Sequence, residues 1–367
     1  AFKKVKVFLL YSYSISLPDN RINYQEGGFK MDNNWIKIAS IYIGTVIGAG
    51  FASGREIIEF FGIYGARGIL GIAISGILFA LIGSLLLLKI YNKKIKGFNE
   101  LVCSLFGKKI GFIIDTIVTF SLYTGFSVMI AGSGAIFKEE LGLSFNMGAF
   151  MMVAFSFIIL LFNLEGLSFI NSILVPLLII GIIFISFYLN IREGFRFSNI
   201  EGVGLTGKGN FISSSFLYIG SNSLIIIVVF SSLFPMISSK RTAILGGLVG
   251  GLILCILGIC ILTSILIYYN EVVNLDVPML RICNYIGEAY RKLYAIILWI
   301  AMFTTALANG FGFINRVSYG KNKLLTTGLF CILSFPLAKL GFSNLVGIIY
   351  PISGLIGFII MIFVLAV

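Results

Sequence analysis

The stretch Gly44-Thr45-Val46-Ile47-Gly48-Ala49-Gly50-Phe51-Ala52-Ser53-Gly54 lies inside an apolar run and carries four glycines in eleven residues. Glycine in a helix interior costs ~1 kcal/mol relative to alanine, so a helix drawn through this segment is weak at its own centre. The pattern predicts a helix over 35–61 that is interrupted midway. The spacing Gly44–Gly48 and Gly50–Gly54 also suits close packing of two helices, and both readings stand at this point.

The surroundings decide what kind of helix this is. Hydrophobic residues make up 58% of the 367 residues and charged residues 11%, against roughly 45–50% and 25% in soluble domains. Several apolar runs exceed the ~18 residues needed to cross a bilayer. A barrel strand would show ~10-residue segments of alternating polarity, whereas Leu252–Ile267 is apolar over most of every face. Backbone groups in lipid must be satisfied within the segment. The sequence therefore predicts an all-α polytopic membrane protein, with ten transmembrane helices near 35–61, 69–91, 110–137, 147–163, 168–190, 211–236, 242–269, 290–314, 323–339 and 342–366.

The charges orient these helices. With a cytoplasmic N-terminus, 17 Lys and Arg residues fall on the inner side and nine on the outer side. The positive-inside rule then puts both ends in the cytoplasm, as expected for a multi-pass protein of the bacterial cytoplasmic (inner) membrane. The net charge of +12 is accounted for by those loops, so no nucleic-acid partner is expected, while the lipid bilayer and a small-molecule substrate are. Oligomeric state is not legible. The chain has no histidine, and its five cysteines lack metal-site spacing, so zinc and haem are not expected. Residues 1–34 form an N-terminal extension outside the pattern. Met31 is the expected natural start, because Gln25–Lys30 reads like a translated ribosome-binding sequence.

The interrupted segment has an echo. Tyr42-Ile43-Gly44 recurs as Tyr218-Ile219-Gly220, Cys103-x3-Gly107 as Cys283-x3-Gly287, and Gly166-x-Ser168-x7-Pro176 as Gly341-x-Ser343-x7-Pro351. Three pairs in one order with nearly equal offsets imply an internal repeat, 35–191 and 211–366. Each half holds five predicted helices, an odd number, so the second half enters from the opposite side and the repeat is inverted. Its first helix contains the polar cluster Tyr218-Ile219-Gly220-Ser221-Asn222-Ser223, whose side chains offer the backbone competing hydrogen bonds. Interruptions are thus expected in the first and sixth helices. Matched interruptions at corresponding positions of inverted halves mark the binding site of secondary transporters.

The segment Ile43–Glu56, reading IGTVIGAGFASGRE, resembles the first helix of the bacterial YkvI group, a branch of the amino acid–polyamine–organocation superfamily. The ten-helix repeat over 35–366 is similar to the LeuT-type fold. That resemblance implies a substrate site between the first, third, sixth and eighth helices. Ile47, Gly48, Ala49 and Gly50 would form one wall, with the Ala49 and Gly50 amides meeting a substrate carboxylate. Tyr218, Gly220, Ser221 and Asn222 would form the other, and Tyr123 would lend a hydroxyl or simply pack between helices. It also implies a Na+ site from the carbonyls of Gly44, Ile47 and Ala301 and the hydroxyls of Thr304 and Thr305. The i, i+3, i+4 spacing puts the last three on one helical face. The threonines bonding their own helix is the alternative.

Ionisable residues at membrane depth default to function. Arg55, Glu56 and Glu59 follow the break, and Arg55 and Glu59 can pair at i, i+4. Glu56 is a candidate for carrying a proton, lining a vestibule or binding a cationic substrate group. Asp115 can pair with Lys108, Lys109 or Arg316 as an inner gate. No HExxH, catalytic histidine or Walker-type loop is present, which argues against an enzyme or primary pump. The functional expectation is a secondary active transporter of an amino acid or related amine, with Na+ as a possible coupling ion and no other cofactor. A nutrient sensor that binds without transporting is the alternative.

Overall fold

The computed structural model describes residues 33–162, 167–194, 210–317 and 322–366; the extension up to residue 32 and the proposed start at Met31 lie outside them. The glycine-rich stretch breaks the first helix as its composition demands. Helix α1 (Asn34–Val46) ends, Ile47 and Gly48 leave helical geometry, and the chain resumes as α2 (Ala49–Ser53) and α3 (Arg55–Phe60). Gly54 joins α2 to α3 with φ +82°, a left-handed turn open to glycine at no steric cost.

The remaining helices are α4 (Arg67–Lys93), α5 (Phe98–Leu141), α6 (Phe145–Phe162), α7 (Leu167–Glu193), α8 (Phe211–Phe230), α9 (Lys240–Ile267), α10 (Tyr269–Val272), α11 (Pro278–Cys283), α12 (Glu288–Val317), α13 (Lys323–Ala338) and α14 (Phe342–Ala366). Among the described residues, eight helices are long and apolar enough to cross a membrane, and α13 is a shorter apolar helix. These eight, α13 and the broken α1–α3 occupy the ten predicted positions. Apolar side chains such as Leu70, Ile77, Leu81 and Leu85 of α4 are more than half exposed. A soluble protein does not tolerate so continuous an apolar surface; lipid covers it.

Two expectations require correction. The polar cluster Tyr218–Ser223 does not interrupt its helix. Ser221 Oγ and Asn222 Nδ2 donate to the Tyr218 carbonyl (2.7 and 3.1 Å), and Ser223 Oγ to the Ile219 carbonyl (2.8 Å). Those side chains bond backward along α8, and the ladder survives. The break within the predicted 211–236 element comes after Phe230, where the chain passes through a 3-10 turn at Phe234–Met236. The third predicted helix, drawn over 110–137, is the longer part of α5 and begins earlier than expected: Gly107, with φ 73° and ψ 174°, leaves helical geometry and separates it from a short helical piece that starts at Phe98.

The repeat is visible in geometry. Gly107 and Gly287 both adopt positive φ, each after a short helical piece and before a long helix. Pro176 and Pro351 lie inside α7 and α14, each nine residues past the first residue of its helix. Tyr42 meets Phe230 edge-on at 4.8 Å, and Tyr218 meets Phe61 edge-on at 5.1 Å. The first helix of each half thus lays its tyrosine against the far end of the other. Backbones approach closely where α8 crosses α14: a β-carbon on Gly220 would run into the Gly354 carbonyl.

Candidate functional site

The break in the first helix frees backbone groups because its hydrogen bonds are diverted. The Gly48 amide turns back to the Val46 carbonyl (2.8 Å) instead of Gly44, and the ladder restarts with Ala52 to Gly48 (3.0 Å). Among the described residues, neither the Gly44 nor the Ile47 carbonyl receives a backbone amide across the break.

Beside the break lies a cavity of about 180 Å³. Thr45, Gly48, Ala49 and Gly50 line it from the first helix, Ser221 and Asn222 from α8, and Thr305 and Asn309 from α12. Apolar residues of α5, including Val118, Leu122 and Met129, complete much of the wall. Glu56 enters the same cavity from α3. Its side chain folds back over α2, so that a β-carbon on Gly50 would collide with the Glu56 carboxylate. Tyr350 of α14 lines the cavity beside it.

Arg316 also lines the cavity and pairs with Asp115 through Nε at 3.1 Å. Of the three basic partners expected for Asp115, the fold selects Arg316, whose guanidinium also stands over the Phe98 ring. Beyond Glu56 on the same short helix, Phe60 is fully buried, as is Phe61 after it, and Arg55 is bonded to Glu59 and to the carbonyls of Val273 (2.7 Å) and Leu275 (3.1 Å). Glu139 accepts the amides of Asp276 (2.7 Å) and Val277 (3.2 Å), and Asp276 accepts the Ser343 amide at 2.9 Å. The segment after α10 is therefore fastened to α3, α5 and α14.

Several expected site residues are placed elsewhere. The Tyr123 hydroxyl donates to the Leu333 carbonyl of α13 (2.8 Å), and its ring packs on Phe313 and Phe330. It joins α5 to α13 outside the cavity. Gly220 packs on α14, and Tyr218 is buried among Phe60, Phe61 and Phe79. Ile47 is buried outside the lining. Thr304 and Thr305 both donate to the Ala301 carbonyl (3.0 and 2.8 Å), which leaves their oxygen lone pairs available; Thr305 faces the cavity and Thr304 is buried. Asn309, Tyr350 and Ser353 line the cavity with no sequence signal of their own, since each is flanked by apolar residues or proline and belongs to no motif.

A broken first helix beside a largely apolar cavity with a few polar groups, inside paired five-helix runs, defines a polytopic membrane protein of the LeuT-type fold. Solved structures agree on that fold. A mutant of the manganese transporter of Eremococcus coleocola superposes with a TM-score of 0.64 at 13% identity, covering 96% of this chain and 83% of that one. The nucleobase-cation-symport-1 family transporter Mhp1, in its inward-facing conformation, gives 0.58 at 14% identity, covering 88% and 73%. In sequence the chain is similar to the uncharacterised membrane protein YkvI of Bacillus subtilis (strain 168), 29% identical over 330 residues, 87% of this chain and 91% of that protein. A second protein of that organism, YyaD, is 25% identical over 323 residues, 86% and 91%. The resemblance carried by Ile43–Glu56 thus extends along the chain. No family model matches.

Proposed function

We propose that this chain is a secondary transporter of a small solute, an amino acid or related amine, working by alternating access in the bacterial cytoplasmic membrane. The observation that carries the proposal is the cavity beside the broken first helix, lined from that helix and from α5, α8, α12 and α14. Discontinuous helices at such a site supply unpaired backbone groups for solute and ion. The diverted amide at Gly48 supports Na+ as coupling ion, because it leaves the Gly44 and Ile47 carbonyls free and hard cations prefer oxygen ligands.

The test is counterflow in proteoliposomes. Vesicles loaded with one candidate solute should accumulate the labelled solute against its gradient, with a Na+ gradient accelerating entry. A solute that stabilises the protein yet shows no flux under any gradient would overturn transport and make the chain a receptor.

A further inference from the structure

The geometry points to a substrate that carries an ammonium group and no carboxylate at the break: a small amine with an apolar body, held by Glu56. This inference rests on the transporter reading of the same cavity and narrows its substrate class.

The space beside Gly50, where a substrate carboxylate was expected, already holds a carboxylate. Glu56 reaches it from α3, and only a hydrogen in place of a β-carbon leaves room. A second carboxylate placed there meets like charge in a poorly solvated site, which disfavours both ionised forms. The other charges offer no compensation. Arg316 is engaged with Asp115. Arg55, next in sequence to Glu56, turns to Glu59 and the Val273 and Leu275 carbonyls. Among the described residues Glu56 makes no ion pair, and it is 5% exposed. A carboxylate in that position calls for a cation from the cavity side.

The rest of the wall selects the kind of cation. No three His, Cys, Asp or Glu side chains among the described residues could hold a metal together. Val118, Leu122, Met129, Ile225, Val228 and Ile349 instead surround the cavity with apolar surface, which suits a hydrocarbon body rather than a bare divalent ion. The neutral oxygens of Asn222, Thr305 and Ser353 are present to share the ammonium hydrogens.

The experiment is a thermal-shift titration of the purified full chain with matched triples: ethylamine, alanine and propionate, then isoamylamine, leucine and 4-methylvalerate, with manganese chloride as a separate arm. At least one amine should raise the melting temperature and bind roughly tenfold or more tightly than its amino acid, the acids giving no shift. Glu56→Gln, nearly isosteric and uncharged, should lose that amine by at least about tenfold, as truncation of a desolvated charge pair does. Glu56→Asp should keep part of the affinity, and Gly50→Ala should lower it by displacing the carboxylate. An amino acid that binds more tightly than its amine, an unaltered amine affinity in Glu56→Gln, or stabilisation by manganese without any amine would each overturn the assignment. Those results leave the transporter reading intact, whereas Glu56-dependent amine binding without counterflow would sink transport and keep the recognition.

Discussion

At the scale of single residues, identity in the sequence and partner in the fold are separate pieces of information. Tyr123 and Glu56 are both polar groups at membrane depth, yet one spends its hydroxyl on Leu333 and the other lines the cavity. Tyr123→Phe should therefore cost about 1 kcal/mol, the usual net value of one hydrogen bond, and leave solute binding unchanged in the same thermal-shift assay. Thr305 faces the cavity while bonding Ala301. Thr305→Val removes an oxygen and keeps the shape, so any stabilisation by NaCl over choline chloride should fall severalfold. Equal sodium responses in wild type and Thr305→Val would remove that hydroxyl from the candidate ion site.

At the scale of elements, glycine and proline punctuation was readable and helix integrity was not. Four glycines weaken the first helix, and the structure breaks it between Val46 and Ala49. The cluster at Tyr218–Ser223 carries as much polar character, but its side chains bond within α8 and Gly220 is pressed on α14. Packing and local hydrogen bonds together hold that helix straight. Gly220→Ala should drive the two backbones apart and cost ~1–3 kcal/mol, as overpacking does, measured as a lower unfolding temperature in detergent. An unchanged unfolding temperature would mean that the α8–α14 crossing is looser than this geometry.

At the scale of the whole molecule, two fastenings join segments far apart in the chain. One, Asp115–Arg316, has partly exposed side chains, and such pairs contribute ~0–1 kcal/mol. Asp115→Asn should barely alter stability, while a pair that gates the proposed transport would show itself as faster solute exit in the counterflow assay. The other holds the segment after α10 through Arg55, Glu139 and Asp276. Arg55→Lys keeps the charge beside Glu59 but loses the fork that grips two carbonyls. In a Cys103→Ser background, Leu275→Cys should then react severalfold faster with a membrane-impermeant thiol reagent. Unchanged labelling would show that this segment is held without Arg55.

Lipid as solvent, helices as elements, the weak centre of the first helix and the duplication of the chain were all legible before any coordinates. Each follows from composition, from apolar run length or from glycine and proline placement, which act over a few residues or add along the chain. Which carboxylate enters the cavity, which arginine meets Asp115, and whether the cluster at Tyr218–Ser223 breaks its helix depended on contacts between residues far apart in sequence. A side chain's hydrogen-bond partner in a packed bundle is set by the crossing of neighbouring helices, and no local pattern encodes that crossing. Glu56 belongs to this second kind: its proximity to Gly50 arises from the turn at Gly54, and Tyr350, its neighbour in the cavity wall, arrives from the last helix of the chain.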